Sequence, residues 1–308
     1  MAEVLHVSNL SEGAFAGRSE NSKPPFFAVF GKPIGHSLSP LMQNAALAKV
    51  AKTNAELDGA KYFAFEVEPE KLAETLDVFW RKNFAGINLT IPHKEIAMRV
   101  VDDFDASAEN AKACNTLLRT PRGWKGFNTD GFGVSAAVEH AFGRGFANAD
   151  AVLLGAGGAA RGAAAAIIAA GCKSLLAANR NPERLKKFAD DLSMENFEIK
   201  TALLAGIEAK IPPRAIVVNA TSVGLNADDS PVVDFSKIPP DCAFLDMPYR
   251  RNGETPSVLA ARANGIPAEN GLAMLAWQGA KSLSIWTGAP LMGAFMLETI
   301  KENLYGHR

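Results

Sequence analysis

Between Leu153 and Ala160 the sequence Leu-Leu-Gly-Ala-Gly-Gly-Ala-Ala combines residue types and spacing suited to holding phosphates. The run Ala151-Val152-Leu153-Leu154 before it is short and apolar, which predicts a buried strand. The Ala-rich stretch Ala159 to Ala170 predicts a helix. Gly155 permits a tight turn between them, and Gly157 lets the backbone approach a pyrophosphate. Ala160 stands at the third fingerprint position, where a small side chain allows close helix packing. The helix start then offers unpaired N–H groups and the positive end of its dipole to an anion. A glycine turn of this kind can also join two elements without any ligand. Strand, turn and helix in this order favour a dinucleotide site built from Gly155, Ala156, Gly157, Gly158 and Ala159.

The following strand, Ser174 to Ala178, selects the dinucleotide. NAD enzymes place an acidic residue about 20 positions past the glycines to bond the ribose 2′-hydroxyl. Here the strand runs into Asn179-Arg180, with no acid, and Arg184 lies one helical turn further on. Arg184 alone would pass for a solvated helix charge. Together with Arg180 it makes a cationic pair that attracts a 2′-phosphate, and the guanidinium of Arg180 can stack on adenine. The expected cofactor is therefore NADP(H).

The N-terminal half carries neutral polar clusters at the ends of apolar runs. Ser37-Leu38-Ser39-Pro40 follows the first, Asn88-Leu89-Thr90-Ile91-Pro92-His93-Lys94 lies on the third, and Asn115-Thr116 and Asn128-Thr129-Asp130-Gly131 come later. Ligands of open α/β sheets bind beyond the carboxyl ends of strands. Ser, Thr and Asn there suit a small polyhydroxylated substrate, because each gives directional hydrogen bonds with little charge.

These groups need a scaffold. Phe26 to Phe30, Tyr62 to Val67 and Gly86 to Ile91 read as strands. Helices are expected over Pro40–Lys52, with Ser39 as N-cap, and over Pro69–Arg81, which has Leu72, Leu76 and Phe79 on one face. From about residue 130 the pattern restarts. Helices are expected over Phe132–Ala141 and Pro182–Leu192, strands over Ile216–Asn219 and Ala243–Asp246, and an interrupted helical segment over Met274–Leu304. Such alternation implies mostly parallel sheets. Residues 1–25 are polar with few bulky apolar side chains and are expected as a poorly ordered arm without a signal-peptide core.

The chain has 308 residues, 48% hydrophobic and 21% charged, with a formal net charge of -1. That is enough for two domains, and it gives no basic field for nucleic acid. Cys114, Cys172 and Cys242 are far apart, and the five histidines lack ligand spacing, so neither a disulfide framework nor a metal site is expected. The longest apolar stretch, Gly162 to Gly171, is shorter than the ~20 residues a bilayer span needs, which points to the cytoplasm.

The motifs quoted above resemble, in order, those of the shikimate dehydrogenase family. Further matches are Phe30 to Pro40, Cys114-Asn115-Thr116-Leu117, Asn219-Ala220-Thr221-Ser222 and Gly271 to Gln278. The resemblance covers nearly everything from Phe26 onward. It implies a mostly parallel N-terminal α/β sandwich that binds substrate, over 26–130 and 271–308. Within it would be inserted a Rossmann-type, doubly wound NADP-binding domain over 131–270. The implied reaction is the reversible NADPH-dependent reduction of 3-dehydroshikimate to shikimate, a step of aromatic amino-acid biosynthesis. On this pattern Lys94 and Asp130 match the catalytic pair, and Ser37 and Ser39 match the hydroxyls on the substrate carboxylate. Thr90, Asn115, Tyr249 and Gln278 match the other substrate contacts. Asn179, Arg180 and Arg184 match the adenosine-phosphate clamp, and Met247 and Gly271 match positions lining the nicotinamide.

Hydride transfer to a ketone builds negative charge on its oxygen, and a lysine beside a carboxylate can deliver the proton needed there. The segment Asp246 to Pro256 keeps Tyr249 and Thr255-Pro256, but its intervening residues vary in the family. Trp277, next to Gln278, is expected to pack rather than to touch substrate. Two alternatives remain: an enzyme that also oxidises quinate, and a non-catalytic NADP-binding regulator. The regulator should have lost Lys94 or Asp130. The sequence does not distinguish monomer from homodimer.

Overall fold

The computed structural model describes residues 3–193 and 196–306. The chain forms two compact units. The first holds the residues up to Glu109, Ala113–Thr129 and the chain from Ala276 onward. The second holds Asn110–Lys112 and Asp130–Leu275.

The first unit is built on a seven-stranded sheet of β1 (Val4–Leu5), β2 (Phe26–Gly31), β3 (Lys61–Glu66), β4 (Phe84–Leu89), β5 (Asp103–Phe104), β6 (Thr116–Thr120) and β7 (Gly123–Phe127), in the order β1-β3-β2-β4-β6-β7-β5. Strands β1, β3, β2 and β4 are parallel. Strand β6 runs antiparallel to both β4 and β7. Its helices are α1 (Ser39–Ala51), α2 (Leu72–Arg81), the single-turn α3 (His93–Ile96), α4 (Ala106–Ala111), most of α9 (Leu272–Thr287) and α10 (Gly293–Tyr305). Strand β2 is buried along its whole length, as its unbroken apolar run predicts. Its Phe26 and Phe30 join Phe65, Phe79 and Phe84 in an aromatic core, with Phe30 and Phe79 edge to face at 4.7 Å.

Three expectations need correcting. Residues 3–25 are not a loose arm: β1 adds to the free edge of β3, and Leu10 and Phe15 are buried. Phe15 packs against Phe26, Phe63 and Phe84, and Arg18 lies over the Phe26 ring while donating to the Pro24 carbonyl. A few apolar residues thus anchor a polar segment. Second, Ser39 is not the N-cap of α1 but its first residue; Leu38 is the cap position. Its hydroxyl turns inward to the Tyr62 phenol, and its N–H donates to Ser37 Oγ at 3.2 Å. Third, the first turn after Pro69 is a 3-10 turn over Pro69–Lys71, and α2 proper begins at Leu72. Trp277 does pack: a Cβ on Gly293 would lie 2.2 Å from its ring.

The second unit has a six-stranded, all-parallel sheet of β8 (Asp150–Leu154), β9 (Ser174–Asn179), β10 (Lys200–Leu203), β11 (Ile216–Asn219), β12 (Ala243–Asp246) and β13 (Ala268–Glu269). The order β10-β9-β8-β11-β12-β13 reads 3-2-1-4-5-6 within the unit, the doubly wound arrangement. Helices α5 (Asp130–Phe142), α6 (Gly158–Ala169), α7 (Pro182–Leu192) and α8 (Pro256–Ala263) belong to it. Asn181 caps α7 by accepting the Arg184 N–H, and Thr255 caps α8 by accepting the Val258 N–H; a proline follows each cap. Gly131 lets α5 and α6 touch, since a Cβ there would lie 2.6 Å from the Gly162 carbonyl. No helix among the described residues is long and apolar enough to cross a membrane.

Candidate active site

In the first unit the expected substrate residues stand at the carboxyl ends of β2 and β4, at the start of β6 and on α9. After β4 the chain is clamped to β2, with the Thr90 N–H donating to the Phe30 carbonyl at 2.9 Å. Gly31 makes this approach possible, because a Cβ there would lie 2.5 Å from the Thr90 methyl. The His93 N–H closes the turn on the Thr90 carbonyl at 2.8 Å, so Lys94 sits in the first turn of α3. The Lys94 carbonyl in turn receives the Cys114 N–H at 2.9 Å, which ties Lys94 to the strand leading into Asn115. His93 is fully buried, and burial holds its imidazole below the ordinary range against the opposing pull of the Val67 backbone and the Glu68 carboxylate.

Asn115 is buried and firmly held. Its Oδ1 accepts the Thr129 N–H at 2.8 Å, and its Nδ2 lies 3.1 Å from Thr129 Oγ1 and 3.5 Å from Gln278 Oε1. Gln278 and Ser282 share a face of α9, one turn apart. Behind them lies a continuous polar row. Tyr62 donates to Asn88 Oδ1 at 2.8 Å, and Asn88 Nδ2 faces Thr116 Oγ1 and Ser282 Oγ at 3.0 Å each. Burial pushes the Tyr62 phenol well above its ordinary range, so it stays a donor. Asn88, Thr116 and Thr129 were legible only as letters within motifs; Ser282, beyond the Gly271 to Gln278 match, and Tyr62 had no polar role at all. Nothing in a buried strand's periodicity marks which polar residue will be shared.

In the second unit the glycine turn lies at the switch point, where neighbouring strands β8 and β11 lead to opposite sides. Gly155 has φ +118°, and a Cβ would lie 2.9 Å from the Ala220 carbonyl, so only glycine fits. Gly157 is the N-cap of α6, and Gly158 and Ala159 form its first turn. Arg184 folds back over this turn: Nε donates to the Ala156 carbonyl at 3.0 Å, and a Cβ on Gly157 would be 3.4 Å from the guanidinium. Asn179 ends β9 with its amide on the Asn181 carbonyl at 3.4 Å, and Arg180 follows, exposed. An open backbone cradle, a helix start and cations at the next strand end fit the two phosphate sites of NADP.

Met247 and Gly271 are brought together. The Gly271 N–H donates to the Pro248 carbonyl at 3.1 Å, and a Cβ on Gly271 would fall 1.9 Å from the Met247 carbonyl. Tyr249 follows on the same loop, partly buried. Beneath the loop, the buried Asp246 carboxylate accepts from Thr255 Oγ1 and, at 2.7 Å, from Asn219 Nδ2. Asp130 is buried at the start of α5.

Two family models match. Residues 29–117 fit the shikimate dehydrogenase substrate binding domain, and residues 136–233 fit shikimate / quinate 5-dehydrogenase. A shikimate dehydrogenase (NADP(+)) of Moorella thermoacetica is 38% identical over 285 residues, covering 89% of this chain and 92% of its own. The chain belongs to the shikimate dehydrogenase family. A second relative of that name, from Methanothrix thermoacetophila, is 38% identical over 85% of this chain and 91% of its own. Among solved structures, the Thermus thermophilus shikimate 5-dehydrogenase in complex with NADP(H) and shikimate superposes with a TM-score of 0.78 at 34% identity. It covers 91% of this chain and 100% of its own. The first matched region falls in the first compact unit apart from Asn110–Lys112, and the second falls in the second unit.

Proposed function

We propose that the chain catalyses the reversible, NADPH-dependent reduction of 3-dehydroshikimate to shikimate, as an oxidoreductase acting on a CH–OH group. The observation that carries this is the neutral donor and acceptor set of Ser39, Asn115 and Gln278, joined through buried hydrogen bonds, which suits a polyhydroxylated ring. Residues 26–130 and 271–308 bind the substrate, and 131–270 bind the cofactor. Ser37 and Ser39 hold the carboxylate, while Thr90, Asn115, Tyr249 and Gln278 hold and orient the hydroxyls.

NADP(H) supplies or removes the hydride when bound. Lys94 protonates the oxygen on which negative charge develops and takes that proton back in the reverse direction; Asp130 supplies the carboxylate of the pair. Holding the carbonyl in one orientation adds its own rate advantage. Gly155 to Ala159 cradle the pyrophosphate, Asn179, Arg180 and Arg184 take the adenosine 2′-phosphate, and Met247 and Gly271 line the nicotinamide side. The enzyme works in the cytoplasm as a monomer or homodimer. The test follows NADPH absorbance with 3-dehydroshikimate, and with quinate and NADP+ as a second substrate, because the matched C-terminal model names both shikimate and quinate. Lys94→Ala should keep its melting temperature and NADPH affinity while losing about 10²–10⁴-fold in kcat, the usual worth of a general acid. A near wild-type kcat would overturn the role of Lys94.

A further inference from the structure

The buried row behind Asn115 has a direction that can be worked out atom by atom. A backbone N–H can only donate, so the Asn115 atom facing the Thr129 N–H at 2.8 Å is the oxygen. A carbonyl can only accept, so the Asn88 atom 3.1 Å from the Asn115 carbonyl is the nitrogen. The Asn88 oxygen then takes the Tyr62 O–H, and its nitrogen serves Thr116 Oγ1 and Ser282 Oγ. Thr116 Oγ1 lies 3.0 Å from Asn115 Oδ1 and 2.8 Å from Ser282 Oγ, and Ser282 Oγ lies 3.1 Å from the Gln278 carbonyl. Thr116 Oγ1 is the hydroxyl of the row that reaches Asn115 Oδ1, Asn88 Nδ2 and Ser282 Oγ hold Thr116 in place, and Asn115 Nδ2 points the other way, toward Thr129 Oγ1 and Gln278 Oε1. Asn88, Thr116 and Ser282 are all fully or almost fully buried.

We infer that Asn88, Thr116 and Ser282 are positioning residues that hold the Asn115 amide with its oxygen turned inward, so that Asn115 meets the substrate with N–H. The substrate group opposite it must therefore present a lone pair, and a group that can only donate is rejected. This rests on the assignment of Asn115 as a substrate contact under the proposed function. A flipped Asn115 would set its NH2 against the Thr129 N–H and leave two buried donors facing each other, so that N–H fixes the orientation and the row holds the side chain in it.

The test uses the full-length enzyme and separate KM values for shikimate and NADP+. Thr116→Val and Ser282→Ala remove a hydroxyl with little change of volume. Each should raise the shikimate KM about tenfold, leave the NADP+ KM within twofold and keep the melting temperature within a few degrees. Thr116→Ser should restore the shikimate KM. The direction of the bond is read by comparing Asn115→Asp with Asn115→Ala. Aspartate keeps the inward acceptor but offers the substrate no N–H, so it should be at least tenfold worse than alanine in kcat/KM for shikimate. Asn115→Asp outperforming Asn115→Ala overturns the inference, as do Thr116→Val and Ser282→Ala variants with a wild-type shikimate KM, or one raised only in step with the NADP+ KM. Absence of shikimate turnover by the wild-type enzyme instead overturns the functional reading, and this inference with it.

Discussion

Arg184 offers the sharpest quantitative test of the cofactor reading. Its backbone N–H is fixed by Asn181 Oδ1 at 2.8 Å, and its Nε is fixed on the Ala156 carbonyl at 3.0 Å, so the guanidinium is already held over the glycine turn. A pre-held arginine loses little side-chain entropy on meeting a phosphate. A charge-assisted hydrogen bond contributes about 1.5–3 kcal/mol. Arg184 is exposed, so salt screening favours the lower end, about 1.5–2 kcal/mol. At about 1.4 kcal/mol per decade, Arg184→Ala should raise the NADPH KM about 10–30-fold. NADH lacks the 2′-phosphate, so its KM should move less than twofold. Both are read from steady-state absorbance at several substrate concentrations. Arg184→Gln, which keeps an N–H donor within reach of Ala156 but no charge, should resemble Arg184→Ala. Added salt should weaken NADPH binding more in the wild type than in either variant. Equal increases in the NADPH and NADH KM would refute the reasoning, because they would make Arg184 a brace for the turn and not a reader of the phosphate.

The remaining predictions concern stability. Burial pushes the Asp246 carboxyl up to about 7, against the hydrogen bonds from Thr255 and Asn219 that favour its charged form. Its folded value thus exceeds the unfolded value of about 3.9, so its contribution to stability is full below about pH 4 and is lost as the pH rises to about 7. Asp246→Asn should flatten the fall in melting temperature between pH 4.5 and 7.5 by about 5 °C, and an unchanged profile in calorimetry would count against it. His93 has the opposite sign: burial holds it below its unfolded value of about 6.5, so its contribution is present above that pH and is lost on acidification. His93→Phe should move the acid-unfolding midpoint, followed by circular dichroism, to lower pH; a midpoint moved to higher pH would sink the idea. Gly131→Ala should cost about 2 kcal/mol through overpacking against Gly162 and Ala166, seen as a urea midpoint shift without change in slope.

The second unit was the more legible in the sequence, for a physical reason. Its central strands β8, β11 and β12 are buried on both faces, and β8 and β9 close with a glycine turn and a cap within a few residues, so local signals suffice. Pro182–Leu192, Ile216–Asn219 and Ala243–Asp246 are found with the limits expected. The first unit resists the same treatment after β4. The hairpin of β6 and β7 mixes Thr, Arg, Trp and Lys, and its antiparallel pairing breaks the strand–helix rhythm that elsewhere predicts parallel neighbours. The N-terminal segment shows the complementary failure. Its polar composition is real, yet Leu10 and Phe15 suffice to dock it, because the energy of burial belongs to a few large side chains and not to the average.

The two units solve a similar problem with a similar device. In each, a loop at a strand end is held by a side chain from another element. Arg184 of α7 reaches the Ala156 carbonyl, and Asn88 of β4 reaches the Asn115 carbonyl while also meeting Ser282 of α9. Small residues provide the room: Gly157 beneath Arg184, Gly31 beside Thr90 and Gly271 against Met247. Arg184 is legible in the sequence as a phosphate ligand, but its bond to Ala156, 28 residues away across α6 and β9, is not. Asn88 and Ser282 are 194 residues apart, and no local pattern can join them. The supporting layer therefore tunes affinity through geometry that only the folded chain creates. Truncating it should move binding constants before it moves stability, because each such contact adds one hydrogen bond to a loop already anchored by its strand.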